Sequence, residues 1–208
     1  MKIIRPSFEI MNLEHLKGAL KRLELIGRTA YKSEQKSRDG SELKFIKTIM
    51  NKKHLGVIEH ESVTVRIVCD RAIANELVRH RLASYVQEST RYCNYSTDKF
   101  NNELTFIYPV FSDERRDFHE DWTRFISFSE TIYLNMISKG ATPEMARSVL
   151  PMSLKTEIVA TMNLRQWRHF FMLRTAKTAH PQMREITIPL LKEFRKLIPI
   201  IFNTVETE

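Results

Sequence analysis

One segment alternates well between apolar and other residues, and it constrains the fold more than any other feature of the chain. Within Ser62–Cys69 every second residue is apolar or a cysteine, namely Val63, Val65, Ile67 and Cys69. A side-chain period of two is that of a β-strand with one buried face. The sequence therefore predicts a strand here, and with it a fold that contains a sheet.

A helix is predicted directly after this strand. Asp70 can accept hydrogen bonds as its N-cap, and Ile73 and Leu77 repeat at helical spacing. Continued at about 100° per residue, this helix would place His80 on the apolar face and would separate the arginines on either side of it by about 200°. Those arginines would then reach in different directions.

The residues that follow, Arg79–Tyr92, are called the signature segment below. This segment carries three arginines, a histidine, a carboxylate and two serines, and contains neither glycine nor proline. Guanidinium, hydroxyl and carboxamide groups together suit a phosphate or the edge of a pyrimidine. The alternative is a solvated basic helix end that only complements the helix dipole.

Length and composition indicate one globular domain, residues 1–208. The content of hydrophobic residues is 42%, which argues against disorder, and no apolar run is long enough to span a membrane. The first residues, Met1–Pro6, lack the apolar core of a signal peptide, so we expect a cytoplasmic protein. The two cysteines form neither a disulfide framework nor a metal quartet.

A net charge of +8 favours anionic partners. The lysines and arginines are spread along the chain, and no nucleic-acid-binding module is recognisable. We therefore expect these cationic side chains to bind phosphate groups in pockets, and we expect no nucleic-acid partner. A basic nucleotide- or RNA-binding protein without catalysis remains the alternative.

The other predicted elements complete an α+β fold, with a central sheet flanked by helices. Pro189 is expected to break or kink the last helix. The strands are predicted at Lys2–Met11, Leu104–Val110 and Lys155–Met162, and the helices at Leu13–Tyr31, Ser41–Asn51, Ser112–Gly140 and from Pro181 onward.

The helix predicted after Asn163 combines an apolar stripe with polar ends. Trp167 and Phe170 lie on that stripe, and Arg174 falls on it as well. An arginine in an apolar stripe is costly unless an anion meets it, so Arg174 is a candidate anion ligand.

Two weaker interpretations concern histidines and a cysteine. The segment His54–His60 contains two histidines and a glutamate, but their spacing fits no common zinc pattern. Cys93, beside the signature segment, could act as a nucleophile, but it lacks the flanking pattern of a known class of enzymes that attack with cysteine. We predict no metal site and no catalytic cysteine.

The order of residues in the signature segment resembles that of a known family. Arg79-His80-Arg81, Ser84, Ser89 and Arg91 match the pattern R-H-R-x-x-S-x-x-x-x-S-x-R of the flavin-dependent thymidylate synthases (ThyX). Two further blocks are similar, one around Arg147 and one from Asn163 to His180. Family members have Asn-Glu two residues before the second serine, where this chain has Val86-Gln87 and then Glu88, so the roles of Gln87 and Glu88 stay open.

The resemblance implies methylation of dUMP to dTMP. The carbon donor would be 5,10-methylenetetrahydrofolate, NADPH would reduce bound FAD, and no covalent protein nucleophile would be required. Arg91 and Ser89 are the implied catalytic residues. The implied dUMP ligands are Glu76, Gln87, Glu88, Ser89, Arg91, Arg147 and Arg174, and the implied FAD ligands are His54, Glu59, Arg79, His80, Arg81, Asn163, Arg165, His169 and His180.

Assembly follows from the same resemblance, which implies a homotetramer with active sites at subunit interfaces. A flavin oxidoreductase that acts on another substrate is the remaining alternative. It would oxidise NADPH whether or not dUMP is present.

Overall fold

The computed structural model describes residues 1–206, without the side chains of residues 112 and 113, and has a mixed α/β architecture. The strands are β1 (Lys2–Ile4), β2 (Ser7–Ile10), β3 (Ser62–Asp70), β4 (Ala83–Gln87), β5 (Thr105–Ile107) and β6 (Lys155–Asn163). The helices are α1 (Leu13–Leu16), α2 (Ala19–Thr29), α3 (Ser41–Asn51), α4 (Arg71–Leu77), α5 (Arg116–Ser138), α6 (Pro143–Ala146), α7 (Leu164–Arg174), α8 (Pro181–Leu197) and α9 (Pro199–Phe202). Short 3-10 helices lie at Glu34–Lys36, Val57–His60, Asp98–Phe100, Val110–Asp113 and Arg147–Val149.

The strands form two small sheets. In one, β1 pairs with β5 in parallel, and Ile3 lies opposite Phe106. In the other, the strand order is β2-β3-β6-β4. The half-buried strand predicted from this alternation is confirmed as β3, because Val63, Val65 and Ile67 are fully buried.

The chain divides into two compact units. Unit 1 comprises Met1–Ser7, Ile67–Arg79 and Val86–Ile158. Unit 2 comprises Phe8–Arg66, His80–Tyr85 and the chain from Val159 onward. The signature segment therefore contributes residues to both units.

Unit 1 has a core built on the buried side of α5. Ile126 and Tyr133 of this helix are fully buried and pack with Phe106 of β5 and with Leu154. The helix begins at Arg116 instead of the predicted Ser112, because residues 110–113 form a 3-10 turn first. Phe118 and Phe125 of the same helix are about half exposed.

Unit 2 has an aromatic core between α7 and α8. Trp167, Phe170 and Phe171 of α7 are fully buried, and their rings contact one another and Phe194 of α8. The indole N–H of Trp167 donates to the backbone carbonyl of Val63 at 3.0 Å, which satisfies the polar atom of this buried ring. This packing fixes the orientation of α7.

The predicted cap at Asp70 is confirmed, because its carboxylate accepts from the Ile73 N–H at 2.7 Å. The side chain of Thr142 caps α6 in the same way. Pro181 occupies the first turn of α8, as expected. Pro189, however, does not interrupt α8, because this helix is held by buried side chains on both sides of the proline, including Ile186 and Leu190.

The predicted extension of α4 through the signature segment is wrong. The helix ends at Leu77, and the chain then turns, with Leu82 at a positive φ of 62°, before it enters β4. The apolar spacing that defined the helix stops at Leu77, so the burial that would have continued it is lost. His80 is buried nevertheless, through another route described below.

Two longer predicted elements are each divided in the structure. The N-terminal strand breaks at Arg5-Pro6 into β1 and β2, since proline cannot donate to a sheet ladder. The helix predicted from Leu13 breaks at Gly18 into α1 and α2, and Leu25 of α2 is exposed. Within residues 1–206, none of the helices has the length and apolar character needed to cross a membrane.

Candidate functional site

A cavity of about 450 Å³ lies in unit 2 beside α7. It is lined by Leu55, Glu59, Leu82, Asn163, Arg165, Gln166, Arg168, His169 and Met172. Four of these, Glu59, Asn163, Arg165 and His169, are among the residues predicted to bind the cofactor. The structure therefore brings together residues that are more than 100 positions apart in the sequence.

The first turn of α7 shapes one wall of this cavity. The side-chain oxygen of Asn163 accepts from the Gln166 N–H at 2.8 Å, so Asn163 is the predicted N-cap. Arg165 donates its Nη1 to Oε1 of Glu59 at 2.5 Å, although both side chains are about half exposed. This ion pair holds the guanidinium at the cavity, and its carboxylate comes from the 3-10 helix Val57–His60.

Helical spacing explains the rest of this wall. Arg165, Arg168, His169 and Met172 follow the i, i+3, i+4, i+7 pattern of a single helix face. Sequence reasoning assigned roles to Arg165 and His169 but missed Arg168, and the same spacing could have identified it. Leu55, Leu82, Gln166 and Met172 were also missed.

Arg168 lines the cavity and is also held in place by hydrogen bonds. Its guanidinium donates to the carbonyl of Ile201 and to Oγ1 of Thr204. Burial lowers the pKa of this guanidinium below its ordinary value. These contacts tie α7 to the C-terminal part of unit 2, so one side of the cavity is structurally braced.

His80 is buried against the end of α7. Its ring meets Phe170 edge-on at 4.9 Å between centroids, and its Nε2 accepts from Nε of Arg174 at 2.9 Å. Because a guanidinium can only donate, the imidazole must be neutral with its proton on Nδ1. Burial, with the added effect of Arg174 and His169, lowers the pKa of His80 to about 4.

Arg174 is the last residue of α7 and is half-buried. Its backbone carbonyl accepts from Oγ1 of Thr187 in α8 at 2.7 Å. The sequence suggested that an anion offsets the burial of this arginine. Within unit 2, the neutral imidazole of His80 accepts a hydrogen bond from this guanidinium, which offsets part of the cost of its burial.

The other predicted cofactor residues of unit 2 lie outside this cavity. His54 lines a second cavity of about 430 Å³, whose other lining residues are Ile26, Gly27, Ala30, Gly56, Val57 and His60. His180 caps α8, since its Nδ1 accepts from the Gln182 N–H at 3.2 Å. Arg81 is exposed in the turn that leads to β4.

In unit 1, the carboxylate of Glu88 lies in a network of hydrogen bonds. Its Oε1 accepts from the hydroxyl of Tyr95, and its Oε2 accepts from Nζ of Lys155, both at 2.8 Å. Lys155 also donates to Glu157 at 2.7 Å. Burial alone would lower the pKa of Lys155, but the hydrogen bonds to Glu157 and Glu88 outweigh it and raise the pKa.

Tyr95 completes this network from the core side. Its side chain is buried, and burial, reinforced by Glu88, raises the pKa of the phenol well above its ordinary value. The hydroxyl therefore stays a donor at neutral pH. Both oxygens of Glu88 are occupied by side chains of unit 1, which fixes the backbone at the start of the second half of the signature segment.

The predicted catalytic pair lies directly after Glu88. The hydroxyl oxygen of Ser89 accepts from the Arg91 N–H at 3.2 Å, which makes a local turn. The guanidinium of Arg91 is about half exposed and pairs with Glu144 at 3.2 Å. Before them, Gln87 donates its amide to Oγ1 of Thr156 at 3.2 Å.

Arg147 follows α6 and is exposed. It stands three residues after Glu144, the partner of Arg91, so two of the three predicted substrate arginines, Arg91 and Arg147, belong to one neighbourhood of unit 1. Glu76 and Arg79 lie at the end of α4, where the Arg79 N–H donates to the Glu76 carbonyl at 3.4 Å. The side chain of Arg79 is exposed.

Comparison with protein families gives one match that covers most of the chain. A family model described as "Thymidylate synthase complementing protein" matches residues 13–200.

Curated relatives carry a consistent name. The chain is 37% identical over 154 residues to a flavin-dependent thymidylate synthase of Pyrococcus furiosus, an alignment that covers 74% of this chain and 62% of the relative. A protein of the same name from Geobacter sulfurreducens is 34% identical over 160 residues, covering 76% of this chain and 67% of that protein. The chain thus spans less than two thirds of the length of the Pyrococcus furiosus relative.

A solved structure has the same fold. The UMP/dUMP methylase PolB from Streptomyces cacaoi, bound with 5-Br dUMP, superimposes with a TM-score of 0.77 at 23% identity, and the match covers 98% of this chain and 96% of that chain.

Proposed function

Because this chain belongs to the family of thymidylate synthase complementing proteins, we propose that it is a flavin-dependent thymidylate synthase that methylates dUMP to dTMP. The carbon donor is 5,10-methylenetetrahydrofolate, and NADPH is the reductant of the flavin. The single observation that carries the proposal is the cavity on α7, because it gathers Glu59, Asn163, Arg165 and His169 in one place.

The donor set of this cavity fits FAD. Arg165 and Arg168 offer guanidinium groups to a pyrophosphate, and His169 and Asn163 offer further polar atoms. Leu55, Leu82 and Met172 supply the apolar surface that a ring system needs. When bound and reduced by NADPH, the flavin would supply the hydride that reduces the transferred carbon to a methyl group, and the protein would provide binding, orientation and electrostatics.

His54, Arg79, His80, Arg81 and His180 belong to the same proposed cofactor set. Neutral His80 is the best defined of them, since its protonation state follows from the bond to Arg174. A neutral, buried imidazole can orient other groups without adding charge beside a dinucleotide. Its role is therefore to hold the end of α7 and the turn before β4 in place.

The residues of unit 1 proposed to serve dUMP binding are Glu76, Gln87, Glu88, Ser89, Arg91 and Arg147, of which Glu88 acts indirectly, through the backbone that it fixes. Arg174, which belongs to unit 2, is a further proposed dUMP ligand. Arg147 and Arg174 are assigned to the phosphate of dUMP through charge-assisted hydrogen bonds. Arg91 is assigned to the pyrimidine carbonyl oxygens, where negative charge develops, because a fixed cation there lowers the barrier. Ser89 and Gln87 orient the ring.

The Arg91–Glu144 ion pair suggests how the charge of Arg91 becomes available. The pair is about half exposed, so it contributes little to stability and can be exchanged at low cost for a nucleotide. Glu88 contributes indirectly, because its hydrogen bonds to Tyr95 and Lys155 fix the backbone that carries Ser89 and Arg91. No covalent protein nucleophile takes part, so Cys93 is not required.

The enzyme is proposed to act in the cytoplasm as a homotetramer with active sites at subunit interfaces. A single chain of 208 residues has little surface with which to enclose a flavin, a nucleotide and a folate together. Shared sites would use arginines from several copies. Size-exclusion chromatography with light scattering tests this assembly directly.

Release of tritium from 5-tritiated dUMP tests the reaction. The purified protein, reconstituted with FAD, should release tritium only when NADPH and methylenetetrahydrofolate are both present. An absorbance scan before and after dUMP addition should show a flavin spectrum that changes with the nucleotide. A protein that neither retains nor rebinds FAD would contradict the proposal.

Two further outcomes separate the alternatives. NADPH oxidation that is indifferent to dUMP would identify a flavin oxidoreductase of another substrate. UMP serves as the competing nucleotide, because the matched solved structure is called a UMP/dUMP methylase. Methylation of UMP in preference to dUMP would place the activity on ribonucleotides.

A further inference from the structure

A third cavity in unit 2, separate in its lining from the two above, is strongly basic. Its volume is about 430 Å³, and it lies at the start of α3. Four cationic side chains line it with one carboxylate, and the complete lining is Arg28, Lys36, Arg38, Asp39, Gly40, Ser41, Lys44, Phe45 and Thr48. None of these residues belongs to the proposed flavin or dUMP sets.

Three of the four cations have no counterion among the residues that the structure describes. Within residues 1–206, Lys36, Arg38 and Lys44 form no side-chain ion pair or hydrogen bond, whereas the carboxylate of Asp39 is engaged by Lys21 at 3.2 Å. Like charges held around one cavity repel one another, which costs stability unless an anion is bound. The uncompensated charge therefore points to an anionic ligand.

Two residues that line this cavity, Arg28 and Ser41, are held in place by a buried carboxylate. Glu24 is fully buried and accepts from Nε and Nη2 of Arg28 at 2.9 and 2.6 Å and from the hydroxyl of Ser41 at 2.7 Å. The hydroxyl of Ser37 donates to it as well, at 3.3 Å. Burial would raise the pKa of Glu24, but these hydrogen bonds outweigh it and lower the pKa, so the carboxylate stays ionised. It thereby fastens the loop of Ser37 to α2.

The fastened loop has two consequences for the cavity. Arg28 is held over the ring of Phe45, 5.1 Å from its centroid, which leaves an aromatic wall beside the cations. The N-terminus of α3, an eleven-residue helix, also faces this region through Gly40 and Ser41, and its dipole adds to the positive potential.

We propose that this cavity binds a nucleotide-sized phosphorylated metabolite, with its phosphate chain among Lys36, Arg38 and Lys44 and its ring against Phe45. The site is a second anion site, distinct in its residues from the flavin cavity, and it does not depend on the proposed thymidylate synthase activity. A volume of about 430 Å³ is within the range of small-molecule sites.

Isothermal titration calorimetry of the full chain tests the site, with inorganic pyrophosphate and ATP as probes. The triple variant Lys36→Gln/Arg38→Gln/Lys44→Gln should lose at least tenfold in affinity for both probes. The control triple variant Lys47→Gln/Lys52→Gln/Lys192→Gln removes the same charge from exposed lysines that do not line the cavity. It should change the affinity less than twofold.

A separate variant tests the proposed contact between Phe45 and the ring of the ligand. Phe45→Leu should weaken ATP binding and leave pyrophosphate binding unchanged, because only ATP has a ring to pack there. Circular dichroism checks that each variant folds, and Arg38→Gln alone replaces the triple variant if that variant does not.

The proposal is overturned if the two triple variants lose affinity for the probes equally, since equal losses would indicate general electrostatic attraction. Absence of saturable binding of either probe to the wild-type protein would also overturn it. So would a protein that binds single-stranded RNA but neither pyrophosphate nor ATP. If the protein released no tritium but still bound pyrophosphate, the proposed thymidylate synthase activity would be contradicted and the second anion site would still be supported.

Discussion

The proposed cofactor region of unit 2 and the proposed nucleotide region of unit 1 hold their polar side chains in different ways. In unit 2 the polar groups project from one face of α7, whose opposite face is locked by Trp167, Phe170 and Phe171. In unit 1 they lie on a turn after β4, and the anchor is polar, through Glu88, Tyr95 and Lys155. A helix braced by aromatic packing provides a preformed cavity, whereas a turn held by hydrogen bonds presents an exposed Arg91.

This difference suggests a division of labour. A preformed cavity suits a cofactor that stays bound through many turnovers, because little ordering is left to be done on binding. An exposed arginine with a replaceable carboxylate partner suits a substrate that enters and leaves. Variants in one region should therefore impair one ligand and leave the other bound.

The largest effect is expected from Arg91→Ala. Removing a cation that stabilises developing charge costs about 100- to 1000-fold in kcat. Tritium release measures this loss, and flavin absorbance should stay unchanged. Arg91→Lys retains the charge and should recover part of the rate, and loss of flavin from Arg91→Ala would break the proposed division.

Arg174→Ala should weaken dUMP binding while FAD remains bound. A charge-assisted hydrogen bond to phosphate is worth roughly 1.5–3 kcal/mol, which is about a 10- to 100-fold change in Kd. Fluorescence titration of the holoenzyme with dUMP measures it. Equal loss of both ligands would show that the contact with His80 makes Arg174 part of the cofactor region instead.

Stability should depend on pH through His80. Its pKa in the folded protein is about 4, below its ordinary value of 6.5. Between these values the unfolded chain binds more protons, so the free energy of unfolding falls as the pH is lowered from about 6.5 to about 4, by roughly 1–3 kcal/mol. Urea denaturation at several pH values measures this slope.

Replacing the imidazole provides the control for that experiment. The glutamine in His80→Gln cannot be protonated, so the free energy of unfolding of this variant should no longer fall between pH 6.5 and pH 4 on account of residue 80. An unchanged slope in the variant would assign the effect to other groups. Above pH 6.5 the two proteins should show parallel behaviour.

Glu88→Gln should destabilise unit 1 by about 1–3 kcal/mol, since it leaves the ammonium of Lys155 without one of its two carboxylates. Thermal unfolding measures the change. In Glu88→Gln/Lys155→Met the charge that needs a partner is gone, so most of the loss should be recovered. If Glu88→Gln instead weakened dUMP binding at unchanged stability, Glu88 would contact the substrate directly.

The smallest effect is expected at the cap of α7. Asn163→Ala removes an N-cap and should cost about 1 kcal/mol of unfolding free energy. Asn163→Ser restores a capping oxygen but not the amide, so it should recover stability and leave FAD affinity reduced. Full recovery of FAD affinity in Asn163→Ser would limit Asn163 to a structural role.

The parts of the fold that repeat with a fixed period could be predicted from the sequence. The alternation in β3, the Asp70 and Asn163 caps and the stripe of α7 each depend on neighbours within a few residues. For the same reason, the four-residue spacing of Arg165 and His169 is sufficient to place both side chains on one helix face.

Features that depend on distant partners could not be predicted in this way. The end of α4 at Leu77 and the turn at Leu82 are marked by no glycine or proline in the sequence. The network of Glu88 with Lys155 joins residues 67 positions apart. No local spacing indicates such a pair, and so the sequence leaves the roles of Gln87 and Glu88 open.

FAD binding to the apoprotein, followed by flavin absorbance and fluorescence, tests the division most directly when wild type, Arg165→Ala and Arg91→Ala are compared. The account predicts that Arg165→Ala binds FAD at least tenfold more weakly and that Arg91→Ala binds it as tightly as wild type. Wild-type affinity in Arg165→Ala, or a matching loss in Arg91→Ala, would contradict it.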